Sequence, residues 1–220
     1  MLNFYGHILI IFIVLILMFE ALYINKFSPT KIRVAVSIVV LMIIMRYVSL
    51  LILSLTYNIK YLYLLKPFFF LNFIAVPLLA LIVLYIFIRK DNINFSYIFG
   101  VIAVLIVLYV GMIHKYVILV QVNDVYGYTM YFAKNMYLYW VFIILNTVIL
   151  FLDMAFIKDK NVNKLGMILV VTASLVTISE YVLWVIGMKI LPENIAGDML
   201  WAVSMVYALN RMKKKKLKSD

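Results

Sequence analysis

The sequence predicts an all-α membrane protein, a bundle of seven transmembrane helices with its N-terminus outside and its C-terminus in the cytoplasm. Three observations predict it. The 220 residues are 68% hydrophobic and only 13% charged, with a mean hydropathy of +1.13, where soluble domains are nearer half apolar and a quarter charged. Apolar stretches of about 20 residues, long enough to cross a hydrocarbon layer, recur along the whole chain. The basic residues gather at the ends of those stretches, as topology requires.

Seven spans are predicted, at 7–25, 33–55, 67–88, 96–113, 135–157, 165–187 and 192–210. The first has no basic n-region and no small-residue cleavage site after it, so it reads as a retained helix. Orientation follows from Lys and Arg. Fourteen fall on one side: Lys26, Lys31, Arg33, Arg89, Lys90, Lys158, Lys160, Lys164, Arg211, Lys213–Lys216 and Lys218. Five fall on the other: Lys60, Lys66, Lys115, Lys134 and Lys189. The richer side is cytoplasmic by the positive-inside rule, which an odd number of spans accommodates. Residues 1–212 form the membrane domain and 213–220 a basic cytoplasmic tail.

Composition excludes several function classes. The net charge of +11 does not signal nucleic-acid binding, because its residues are topological anchors. With no cysteines, disulfides, thiolate metal sites and cysteine nucleophiles are ruled out. The expected partners are the bilayer itself and anionic lipid headgroups around Lys213–Lys216.

The connections differ in kind. The longest, 114–134, is Tyr-rich and is predicted to form a strand or hairpin over the outer face. With the 56–66 connection, Tyr137, Tyr139 and Trp140 it makes an aromatic rim, chiefly an interfacial belt. Pro77, inside the third span, removes a backbone donor and predicts a kink.

Function is sought among charges inside the spans, since each is costly there. At about 1.5 Å per residue, Glu180 and Asp198 lie about 10 Å below the outer surface. Arg46 is slightly deeper, and Asn72 enters from the same side. These four are the candidate site. Arg46 is expected to pair with Glu180 or Asp198, leaving the other acid to share the guanidinium or take up a proton. Either outcome suits a helix-tying ion pair or a polar binding site. Glu20 and Asp153 lie toward the cytoplasm, within five or six residues of Lys26 and Lys158, so local pairing or water access is expected of them. His7 and His114 both fall at outer span ends, which makes only a weak metal site. No HExxH, P-loop or GxSxG is present, and the Ser and Thr of span six read as packing residues. No catalytic residue, cofactor or metal is predicted.

Three stretches carry a family resemblance: INKFSPTKIRVAVSIVVLMIIMRY, with its Ser-Pro loop; FIAVPLLALIVLYIFIRKDN, with its proline and charged exit; and LPENIAGDMLWAVSMVYALNRM, with its Pro…Asp…apolar helix. Together they resemble the seven-transmembrane N-terminal sensor region of bacterial histidine kinases. The resemblance implies a non-enzymatic sensor in the cytoplasmic membrane, relaying a signal to a cytoplasmic or membrane partner. The chain ends ten residues after Asn210, where that family continues into an output domain, so the expectation is a stand-alone module. The alternatives are a small transporter or transporter subunit using the same carboxylates for coupling, and a membrane-embedded lipid-modifying enzyme.

Overall fold

The structure is a computed structural model that describes residues 2–56, 59–88, 94–123, 127–133, 137–159, 162–188 and 194–219. Arg89, Lys90, Lys134, Lys160 and Lys189, all used in the orientation count, lie outside the described residues.

The chain is helical nearly throughout. Its helices are α1 (Leu2–Asn25), α2 (Thr30–Leu55), the short α3 (Lys66–Phe69), α4 (Asn72–Ile88), α5 (Tyr97–Lys115), α6 (Tyr137–Phe156), α7 (Lys164–Ile186) and α8 (Ile195–Ser219). A 3-10 helix over Ile59–Leu65 leads into α3. Among the described residues, six helical stretches are long and apolar enough to cross a membrane. The seventh long helix, α8, is not among them, because Asp198, Arg211 and Lys213–Lys216 fall within it. Outward faces are apolar, including Phe12, Ile16, Val107 and Phe151, each about half exposed or more. An apolar exterior of this extent fits a multi-pass membrane protein.

At the centre stands α4. It packs against α2, α5, α6, α7 and α8 and buries almost every side chain. Such a helix must be apolar all round, which is why its sequence shows no polar face. Around it, α2, α1, α8, α7 and α6 follow one another by pairwise contact, while α5 leans mainly on α4. Only one stripe of α5 is buried, at Ile98, Ile102 and Tyr109.

The third predicted span, 67–88, is not a single helix. The chain breaks at Phe70-Leu71, between α3 and α4. Pro67 starts α3 at a position where its missing N–H costs nothing. By contrast, α4 runs on through Pro77, so the interruption lies before the proline and not at it.

The predicted hairpin is present. Strands β1 (Ile118–Asn123) and β2 (Gly127–Phe132) pair antiparallel, Ile118 opposite Phe132 and Asn123 opposite Gly127. Gly127 has φ +85, and a Cβ there would meet the Leu53 carbonyl oxygen and Ser54 Cα at 3.1 Å. A residue with no side chain therefore lets the hairpin lie on the C-terminal end of α2. Gly187 likewise closes α7 with φ +94, its own N–H donating to the Trp184 carbonyl and that of Met188 to Leu183.

At the opposite end, Asn25 Nδ2 donates to the Arg33 carbonyl at 2.8 Å and to Ser37 Oγ at 3.1 Å, tying α1 to α2. The basic tail is no separate segment there: α8 continues through it to Ser219, with Lys213 Nζ 5.2 Å from the Phe27 ring centroid. Lysine is a good helix former, and cations are favoured at a helix C-terminus.

Candidate functional site

The polar interior lies at the hairpin end, where α2, α4, α7 and α8 meet. Arg46 leaves α2 for the core and forms an ion pair with Asp198 in the first turn of α8, both side chains almost fully buried. Tyr47, next to Arg46, donates its hydroxyl to Asp198 Oδ2 at 3.2 Å. Asp198 is thus the partner that Arg46 takes of the two carboxylates the sequence offered.

Glu180 has different work. It lies one helix away on α7 and faces the start of α8. Its Oε1 accepts the backbone N–H of Ala196 at 3.1 Å, and its Oε2 accepts that of Gly197 at 2.7 Å. The first N–H groups of a helix have no intrahelical partners and carry the positive end of its dipole. A carboxylate reaching across from α7 satisfies both demands. Asn194 precedes α8 with φ +61, a conformation Asn tolerates better than most residues. With its amide turned as its neighbours require, it donates to Glu180 Oε2 at 2.8 Å and to the Thr177 carbonyl at 3.3 Å. Thr177 Oγ1 accepts from the fully buried Trp201 indole at 3.1 Å.

This junction needs Gly197. A Cβ there would come within 2.5 Å of Thr177 Oγ1 and 3.0 Å of Glu180 Oε2. Small residues allow close helix approach inside membranes, and polar side chains then join the helices.

Asn72 opens α4 immediately after the Phe70-Leu71 break, and its amide donates to the Tyr181 hydroxyl. Arg46, Asn72 and Glu180 line one small cavity of about 30 Å³, where about 10–15 Å³ is enough for a water molecule. The remaining wall is mostly aromatic: Phe70, Phe73, Tyr139, Tyr181 and Trp184, with Met130 from β2 reaching in. The rings pack closely, Tyr139 and Trp184 at 4.4 Å, Phe142 and Tyr181 at 4.6 Å. All four predicted residues are therefore brought together, three on the cavity wall and Asp198 behind Arg46.

The aromatic rim divides. Tyr139 turns into the cavity, whereas Tyr61, Tyr63, Tyr137 and Trp140 stay exposed.

Glu20 and Asp153 stand apart, and neither makes its expected local pair. Glu20 is exposed on α1, while Lys26 Nζ lies 4.0 Å from the Tyr23 ring centroid. Lys26 lies in the turn just past the end of α1, off the helical surface that carries Glu20. Asp153 is fully buried, with no partner for either carboxylate oxygen among the described residues, and Lys158 is exposed. The histidines do not meet either. His7 is buried, its Nε2 3.4 Å from Ser54 Oγ, while His114 is exposed at the end of α5. Among the described residues no group of three or more His, Asp or Glu side chains could hold a metal ion.

Sequence reasoning missed Tyr47, Tyr181, Asn194, Gly197 and Trp201, and it read Thr177 only as one of the packing residues of span six. A signal exists for three of them, since Tyr47, Tyr181 and Gly197 are direct neighbours of Arg46, Glu180 and Asp198.

No family model, curated protein or solved structure matches this chain.

Proposed function

We propose that the chain is a non-enzymatic, receptor-like sensor module in the cytoplasmic membrane, with seven spans, its N-terminus outside and its binding cavity opening outward. The observation that carries this reading is the common cavity of Arg46, Asn72 and Glu180, walled by aromatic rings and reached by Met130 of the hairpin. Its present volume suits a water molecule or a few ligand atoms, so a larger ligand would have to displace Met130 and the rings. Occupancy would then act on the start of α8, which Glu180 and Asp198 both hold, and so on the basic helix end that faces the cytoplasm and a signalling partner there.

The absence of cysteine makes topology simple to test. A Thr56→Cys variant should react with an impermeant maleimide on intact cells, and a Ser219→Cys variant only after permeabilisation. For function, purified protein in lipid nanodiscs is screened for thermal shifts with small aromatic and amphipathic compounds. A stabilising compound should lose its effect with Asn72→Ala and with Tyr139→Ala. If such variants bind as the parent does, the cavity is not the binding site.

A second reading, a small transporter, draws on Asp153. This buried carboxyl gives α6 an ionisable group in the half away from the hairpin, and intramembrane acids often mark ion paths. Uptake into reconstituted vesicles that Asp153→Asn abolishes would favour it over the sensor.

A further inference from the structure

A second hollow lies beside the polar cavity, between α5 and α6. It is a cleft of about 440 Å³, open to the outside of the bundle and backed by Phe73 and Ile74 of α4. Its sides are apolar, with Leu108 of α5 and Val141 of α6 63% and 50% exposed. At the hairpin end the lining changes character, to Lys115 and Tyr116. A second lysine belongs to that end, as Lys66 Nζ donates to the Tyr116 carbonyl at 3.4 Å. Tyr109 donates its hydroxyl to the Pro67 carbonyl, fixing α5 to the start of α3.

We infer that this cleft is a binding site for an anionic phospholipid, with an acyl chain between α5 and α6 and the phosphate headgroup on Lys115. Three facts lead there. At hydrocarbon depth an apolar cleft open to the bilayer is filled by a chain, because a void loses dispersion contacts. The cationic mouth at one end then selects the headgroup, with Lys66 adding to the local field. The back wall is also not inert. Phe73 lines both this cleft and the polar cavity, and its ring stands 5.1 Å from Phe142 and 6.3 Å from Tyr181. A chain in the cleft therefore bears on the ring that closes the polar site. The inference rests on the membrane-embedded reading and is independent of the sensor role.

Gly111 provides the test. It lines the cleft, and a Cβ built there meets nothing within 4 Å, so Gly111→Phe fills the cleft while leaving the packed core intact. The full chain is reconstituted with phosphatidylglycerol or phosphatidylcholine carrying the same photoreactive acyl chain, and adducts are mapped by mass spectrometry. Phosphatidylglycerol should label α5 and α6 cleft residues several-fold more than phosphatidylcholine. Gly111→Phe should remove that labelling, and Lys115→Gln should abolish the headgroup preference while leaving chain labelling in place. Ile16→Phe, on the outward face of α1, should change nothing. Equal labelling by the two lipids in the parent protein would overturn the inference whether or not the variants fold, as would cleft labelling that survives a folded Gly111→Phe. An unaltered cleft signal in Asn72→Ala separates this site from the polar cavity.

Discussion

Glu180 on α7 closes the N-terminus of α8, its Oε2 2.7 Å from the backbone nitrogen of Gly197. The contact exists because residue 197 has no side chain. In Gly197→Ala, the new methyl would stand 2.5 Å from Thr177 Oγ1 and 3.0 Å from Glu180 Oε2, so α7 and α8 must separate. Overpacking of this kind costs about 1–3 kcal/mol, although alanine is the better helix former. We expect a lower thermal unfolding midpoint in nanodiscs. A midpoint at or above that of the parent would mean that the two helices have room to shift.

Glu180→Gln separates the cap from the charge layer. Glutamine keeps one acceptor oxygen, but its NH2 group would face N–H donors at the other position. Loss of a capping interaction typically costs about 0.5–2 kcal/mol. The loss should be local. Hydrogen exchange should quicken at Ala196, Gly197 and Asp198, and remain as in the parent along α1. Uniform quickening across the bundle would show that Glu180 supports the whole fold and not the start of one helix.

Much of this architecture is legible in the sequence, and the exceptions have physical causes. Helix ends such as Asn25, Leu55 and Phe156 fall close to their expected places because apolar runs stop where charges or turn residues start. The break at Phe70-Leu71 carries no glycine, proline or charge, since it lies inside FFFLNFIAV, apolar but for Asn72. Depth counting brought Arg46, Asn72, Glu180 and Asp198 to one level, yet it could not choose between the acids for Arg46. That choice depends on where α8 begins. With Asn194 at φ +61 the free N–H groups point at Glu180, and Asp198 turns to Arg46. Local backbone conformation, which hydropathy does not encode, made the assignment. Of the two outcomes expected for Glu20 and Asp153, local pairing or water access, the pairing with Lys26 and Lys158 is not formed, because both lysines lie past the ends of α1 and α6, where the chain has left the helix.

The pair of Arg46 and Asp198 should behave as a unit. Removing one partner of a buried ion pair leaves an uncompensated charge and costs about 3–5 kcal/mol. Arg46→Met and Asp198→Leu should therefore each reduce folded yield and unfolding midpoint strongly. The double variant should recover most of both, since well-packed apolar replacements of buried pairs are often tolerated. Tyr47 loses its acceptor in the double variant, so a modest deficit should persist unless Tyr47→Phe is added. If the double variant is as damaged as the sum of the singles, the charges serve something other than each other, and binding in the polar cavity becomes the stronger reading of the layer.

Asp153 allows the opposite expectation. It is fully buried on α6, and neither oxygen has a hydrogen-bonding partner among the described residues. A carboxylate so placed destabilises the fold unless something outside the chain compensates it. The isosteric Asp153→Asn removes the ionisable group and keeps the shape. In nanodiscs, with the protein otherwise intact, its unfolding midpoint should match or exceed that of the parent, while Asp153→Lys should fall well below both. A clear loss of stability in Asp153→Asn would instead reveal that the native carboxyl holds a water chain or a cation, since only a group with a favourable partner is missed when it is removed. That loss, joined with ion-dependent uptake in vesicles, would move the reading from sensor to transporter.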